Sequence, residues 1–481
     1  MESVREPVNA QVAPPPPDTV TTAIPRALLR LALPVLASQA LRLAYQWVDA
    51  LWVRGLGVEA TAAVTTSIFV MWWVYSLNDI FAIGVTAYAS QLLGGGDRLR
   101  AGVAAYRGLR ASAVLGLVGT AMGLLAARPL FGLMSPEPRM VESGSRYLSI
   151  VLGGAPLPMM ALTCESIMRA AGDTRTPFFI DLVAVALNAA LDPLLIYGLG
   201  PIPAMGVAGA AWATVISWAV MVAGYLWTAA RGHPAFPLAR RAPGPPVHVA
   251  GMARVGVPAA LIGMMFSVVY IVFAHAASRF GAASMAVVGI ANRIEAVQFI
   301  TSVAIGTAGA ALVGQNLGAG RADRAVQVIR TGLKWNLWIS GAFTVLLVAM
   351  PQVFLTLFTR DPEVHRLGVP YLRILAVCLV ANGMEIVTAE SILGSGHTRV
   401  LSWIFSSFSL LRIPLAFWVP GLGGLGVLGI AWVITGTCMV RALVIVTWAG
   451  RGTWKRGLAP ELHGEAAGIH GEAAGLPGPS A

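Results

Sequence analysis

The sequence predicts an all-α polytopic membrane protein, with about twelve transmembrane helices in two homologous six-helix bundles. Three observations lead there. Hydrophobic residues make up 57% of the chain and charged residues only 11%, whereas about a quarter of a typical soluble protein is charged. Apolar runs long enough to cross the roughly 30 Å of bilayer hydrocarbon, which takes about 20 residues of helix, recur from Leu28 to Ala449. Sequence landmarks also recur in the same order, at a nearly constant offset, in the two halves. The runs are apolar at almost every position instead of alternating, which excludes barrel strands. Helices are then the remaining way to pair every backbone group in lipid.

Taken in order, residues 1–25 contain the proline run Pro14 to Pro17 and read as a disordered N-terminus. The first apolar segment is too long for a cleaved signal and reads as a retained helix. The N-terminal bundle, 26–230, has spans at 27–52, 61–92, 102–127, 147–169, 178–199 and 206–230. A Pro- and Arg-rich cytoplasmic linker covers 231–249. The C-terminal bundle, 250–449, has spans at 252–279, 284–314, 331–357, 370–393, 400–419 and 426–449. Residues 450–481, with HGEAAG twice, read as a disordered cytoplasmic tail.

The net charge of +11 does not indicate nucleic acid, because the basic residues sit in short clusters between apolar runs and not on one face. Most lie in loops on the same side as both ends, so the positive-inside rule places both ends in the cytoplasm and requires an even number of crossings. Cys164, Cys378 and Cys438 are isolated in apolar context and read as buried structural thiols.

The repeat is explicit. Pro34 in LALPVLASQ matches Pro258 in RVGVPAALIG, 258 − 34 = 224, and Gln91 in SQLLGGGD matches Gln315 in VGQNLGAG, 315 − 91 = 224. Glu165 in TCESIMRAAGDTR pairs with Glu390 in TAESILGSGHTR, and GVAGAAW at Gly206 pairs with GVLGIAW at Gly426. Six crossings return the chain to its starting side, so the halves share one orientation and are related by an axis along the membrane normal.

Charge inside a membrane span costs upwards of about 2.5 kcal/mol, which makes intramembrane ionisable residues functional candidates. In the first span Arg42, Gln46 and Asp49 fall at i, i+4 and i+7 and share a face. In the fifth, Asp181, Asn188 and Asp192 fall at i, i+7 and i+11. Together these predict a carboxylate site in the N-terminal half that binds protons or sodium, Arg42 being placed to neutralise Asp49. The alternative is that the acids only tie helices together. The second half is not an equal copy: by the local offsets Asp49 corresponds to Phe273 and Asp192 to Arg412. Glu295 and Glu385 are secondary coupling candidates there. Pro34 removes a backbone hydrogen bond and lets the first helix bend.

No nucleotide site is read from the chain, because GGGD at Gly94 lacks the GK[ST] ending of a phosphate loop and follows a membrane helix. No HExxH, GxSxG or metal spacing appears, so the chain reads as a non-enzyme without cofactor, driven by an ion gradient.

These residues resemble the multidrug and toxic compound extrusion (MATE) transporters. The matching pieces are the Pro34 segment with YQWVDALWVRGLG, the loops SQLLGGGD and VGQNLGAGR, the turn RAAGDTRTP, the stretch LNAALDPLLIYGLGPIPAMGVAGAAWATV, and LRIPL near Pro414. The resemblance implies that Asp49 is the family's carboxylate on a proline-bent first helix, that Asn188 and Asp192 are its pair on helix five, and that Tyr45 lies near that site. It also implies that bending at Pro34 is linked to protonation of Asp49; Tyr45, together with Gln46 and Arg42 on the inward polar face, is read as lining the substrate cavity. Arg42 departs from the small polar residue expected there. The implied activity is an H⁺-coupled, in preference to Na⁺-coupled, antiporter that exports small organic molecules from the bacterial inner membrane as a monomer. The alternatives are a lipid-linked precursor flippase of the same superfamily and a non-transporting receptor or scaffold.

Overall fold

The computed structural model describes residues 18–134, 138–235 and 237–463, and among these the regular secondary structure is all helical, apart from a single isolated bridge between Leu199 and Ile202. A short α1 (Asp18–Thr21) precedes the N-terminal lobe, which contains α2 (Ile24–Arg54), α3 (Val58–Gly94), α4 (Arg98–Met134), α5 (Pro138–Gly153), α6 (Pro156–Ala170), α7 (Arg175–Tyr197) and α8 (Val207–Ala230). The C-terminal lobe contains α9 (Val249–Ser278), α10 (Ala282–Gly318), α11 (Ala322–Ala349), α12 (Pro351–Thr356), α13 (Pro362–Leu393), α14 (Thr398–Trp418) and α15 (Val427–Gly450), followed by α16 (Ala459–His463). Among the described residues ten helices are long and apolar enough to cross a membrane, and eleven if the bent pair α5 and α6 is one span. The 37 residues of α3, which include SIFVMWWVYSL, supply a further helix of spanning length. The protein is a multi-pass membrane protein.

Expected and observed spans differ in informative places. The fourth span is broken, α5 and α6 meeting at 46°. Pro156 has no N–H to give the Leu152 carbonyl, which accepts instead from Thr120 Oγ1 at 2.8 Å. The ninth span starts earlier than expected and ends at Ala349, where Pro351 starts the separate α12. Disorder does not extend over all of the expected terminal segments. Val20 is buried, and Trp454, Leu458 and Leu462 bury apolar side chains that would otherwise face water. Residues 1–17 and 464–481 lie outside the described residues.

The duplication is visible in the backbone. Gly57 (φ 100°, ψ 178°) precedes α3 and Gly281 (φ 91°, ψ 173°) precedes α10. Gly206 (φ 58°, ψ −133°) and Gly426 (φ 54°, ψ −135°) open α8 and α15 in the same way. These conformations are closed to residues with a Cβ, so each pair marks one structural position used twice.

At the end carrying the 231–248 linker the two lobes touch along a pseudo-twofold seam. A Cβ on Gly94 would come 2.0 Å from the Gln315 carbonyl, and one on Gly318 would come 1.9 Å from the Gln91 carbonyl. Gln91 Nε2 donates to the Gly394 carbonyl at 2.9 Å, and Gln315 Nε2 donates to the Ala170 carbonyl at 2.7 Å. The other side of each amide is held by a terminal segment: the Leu458 N–H donates to Gln91 Oε1 at 2.7 Å, and Thr19 donates to Gln315.

The apolar cores show where the lobes part. Two of them, at the linker end, mix both lobes, one joining Val85 and Ile167 to Met252 and the other Leu28 and Leu31 to Leu312. The two at the opposite end, around Phe131 and around Tyr371, each belong to a single lobe. The lobes are therefore joined at the linker end and separate at the other. Gly318→Leu should pry this seam open, since overpacking costs about 1–3 kcal/mol. Spin labels on Arg98 and Arg321 are expected to show a longer distance population than the parent, and an unchanged distribution would show the seam to be irrelevant to conformation.

Candidate functional site

The polar residues of the first and fifth spans form two layers in the N-terminal lobe, because α2 and α7 both run from the linker end and pack side by side. In the layer nearer the linker end Arg42 Nη2 reaches Glu165 Oε2 at 2.6 Å and Asp181 Oδ2 at 3.0 Å. Glu165, on α6, also pairs with Arg169 one turn along. Both acids are buried, while the Arg42 side chain keeps 37% of its exposure.

The second layer lies two to three turns further along both helices. With its amide oriented to satisfy both neighbours, the Asn188 nitrogen donates to Asp192 Oδ2 at 3.1 Å, and its oxygen accepts from the Thr214 backbone N–H at 3.2 Å. The Tyr45 hydroxyl is 3.1 Å from Thr214 Oγ1. Asp49, half-buried on α2, is close enough to Asp192 for the two charges to act on each other. Oδ1 of Asp49 and Oδ1 of Asp192 are buried and have no hydrogen-bond partner among the described residues. Two neighbouring carboxylates with free oxygens can accept a proton or coordinate a small cation.

The structure thus brings Asp49, Asn188, Asp192 and Tyr45 together and adds Thr214. The pairing of Arg42 with Asp49 is not observed. Arg42 sits two turns away, about 10 Å along the helix, and is held by Glu165 and Asp181. Gln46 lies in α2, but its side chain falls outside the described residues. Pro34 lies within α2, which runs unbroken from Ile24 to Arg54. Thr214 gave little signal in the sequence, being one hydroxyl in an apolar run, and Glu165 had shown only as a repeat landmark.

The C-terminal lobe treats its charges differently. Glu385 is buried and paired through both oxygens with buried Arg441, at 2.9 Å from Nε and closer still from Nη2. Arg412, at the position equivalent to Asp192, is buried and donates to Thr437 Oγ1 at 2.8 Å and Cys438 Sγ at 2.9 Å. Glu295 accepts from Asn382 Nδ2 at 3.1 Å. Gln298, Ser302, Asn336 and Ser340 form a closed hydrogen-bond cluster with contacts of 2.9–3.0 Å.

Comparison with known proteins agrees with this geometry. The family model MatE matches residues 34–194 and 258–418, two segments that each begin at the repeated proline. The chain is 29% identical to the FAD transporter of Shewanella oneidensis, covering 84% of this chain and 90% of that protein. It is 27% identical to a protein of Thermotoga maritima named probable multidrug resistance protein NorM, covering 90% and 94%. A solved outward-facing multidrug resistance MATE transporter of the MOP superfamily matches in fold with a TM-score of 0.83 at 24% identity, over 91% of this chain and 97% of the other. The duplicated helical lobes and the family match over both halves lead to one assignment: the chain belongs to the MatE family and is a membrane transporter, not an enzyme.

Proposed function

We propose that this protein is a cation-coupled antiporter, using H⁺ in preference to Na⁺, that exports small organic molecules by alternating access. The observation that carries the reading is the cluster of Asp49, Asn188 and Asp192, which holds two carboxylates and no basic side chain among the described residues, while Glu165 and Asp181 of the same lobe are tied to arginine. An ion entering that pocket removes charge repulsion inside the lobe, and its departure restores it, so ion binding can bias which end of the cleft is open. With the linker end in the cytoplasm of a bacterial inner membrane, as the positive-inside rule favours, the described arrangement is outward-open. We take the monomer, with its own cleft, to be the transporting unit.

The test is purified protein in liposomes with imposed gradients. An H⁺ gradient is expected to drive a fluorescent organic cation several-fold faster than an equal Na⁺ gradient. Equal rates with and without either gradient would sink the antiport reading. A second reading, an anionic aromatic solute of the FAD class, is favoured by the exposed part of the Arg42 guanidinium in the same lobe and by the FAD transporter relative. In the same liposomes, FAD movement without dye movement would select it.

A further inference from the structure

A groove of about 580 Å³ opens on the outside of the protein at the linker end, lined by Phe81 of α3, by one face of α4 and by Val249 at the start of α9. The α4 stripe reads Arg107, Arg110, Ala111, Val114, Leu115 and Val118, all on one face by their spacing of three and four. Its base is basic and its length is apolar: Val114 and Val118 are 59% and 49% exposed. From Arg107 to Val118 the helix rises about 16 Å, close to the depth of one leaflet of a roughly 30 Å hydrocarbon core.

The basic end is held by a carbonyl and an aromatic ring. Arg107 donates to the Val247 carbonyl, Arg110 lies over the Tyr106 ring at 5.7 Å, and Arg240 of the linker approaches the same ring at 5.8 Å. Among the described residues none of the three pairs with a carboxylate, in contrast to Arg42, Arg169 and Arg441. Two guanidinium groups against one aromatic ring, with Arg107 one turn before Arg110 on the groove face, at the mouth of an apolar slot of leaflet depth, match a phosphate headgroup with its acyl chain.

We infer that this groove is a binding site for an anionic phospholipid of the linker-side leaflet, with the headgroup phosphate at Arg107, Arg110 and Arg240 and an acyl chain along Val114 to Val118. Phe81 and α4 belong to one lobe and Val249 to the other, and Gly108 of α4 packs on Val85 with Met252 of α9 close by. The lipid therefore spans the seam and favours the state in which the linker ends of the lobes are joined.

The test is native mass spectrometry of the full-length protein in neutral detergent, presented with equal amounts of phosphatidylglycerol and phosphatidylcholine of identical chains. The parent is expected to retain one phosphatidylglycerol with a preference of about fivefold for each arginine engaged. Arg107→Gln with Arg110→Gln should bring the preference close to one, while Arg360→Gln, at the opposite end, should leave it unchanged. Val114→Trp keeps both arginines but fills the slot, and it should lower retention of lipid of either kind, which keeps the proposal testable even if the double variant folds poorly. The proposal is overturned if the double variant keeps the parent's preference, if Arg360→Gln loses as much as the double variant, or if inorganic phosphate at the same concentration displaces the lipid.

Discussion

Asp49→Asn and Asp192→Asn are each expected to lower gradient-driven export by at least about tenfold, within the range of coupling energies known for linked sites, without lowering the yield of folded protein. Asn has nearly the shape of Asp and keeps an oxygen for the neighbouring donor, so packing in α2 and α7 is preserved. What disappears is the charge that the coupling ion neutralises. The two substitutions should also fail to add, because either one removes the carboxylate pair. Initial rates in liposomes under matched pH and sodium gradients give the measurement. Export at the parent's rate by both variants under each gradient would remove the site from the mechanism. Asn188→Leu separates position from charge: it keeps both carboxylates but removes the donor at 3.1 Å from Asp192 Oδ2, and it is expected to give intermediate rates.

The second large effect concerns stability. Arg441→Met should cost about 3–5 kcal/mol, because it strands the Glu385 carboxylate, itself 1% exposed, in the C-terminal core. Glu385→Leu combined with Arg441→Met should recover most of that loss, since replacing both partners of a buried ion pair by hydrophobic residues of similar volume is often close to neutral. Thermal unfolding in detergent, read by the monodisperse fraction after heating, distinguishes the cases. If the double variant is as unstable as the single one, the loss comes from packing of the arginine against the Phe405 ring, 4.5 Å from its guanidinium, and not from the stranded charge. Arg42→Met should cost less for each acid it leaves behind, because the Arg42 side chain is 37% exposed and water can reach the site.

The contrast between these two arginines shows what could be read from the residues alone. Span positions, the duplication and the polar faces of the first and fifth spans follow from local periodicity and recurring landmarks, and most helices appear within several residues of their expected places, the broken fourth span and the early-starting ninth and tenth being the larger departures. The paired glycines at Gly57 and Gly281 confirm the repeat through conformations that a side chain could not adopt. The break at Pro156 was less legible, because proline within a membrane helix is compatible with either a kink or an end. The fate of Arg42 was not legible at all. Its spacing to Asp49 along α2 is fixed by the helix, yet its partners Glu165 and Asp181 come from α6 and α7, and no pattern within one helix specifies which neighbour approaches which face.

By itself the sequence determined that the chain lives in lipid, that it is built twice, and that acids with an asparagine line one face of its fifth span. It did so because hydropathy, periodicity and repetition are carried by residues close together or in register. The tertiary structure alone decided that the lobes join at the linker end, that Gln91 and Gln315 reach across the seam to each other's lobe, and that Asn188 binds Asp192 and Thr214 while Arg42 turns to other acids. Those outcomes depend on how separate helices pack, and on which buried charge finds a partner at a lower desolvation cost than solitude.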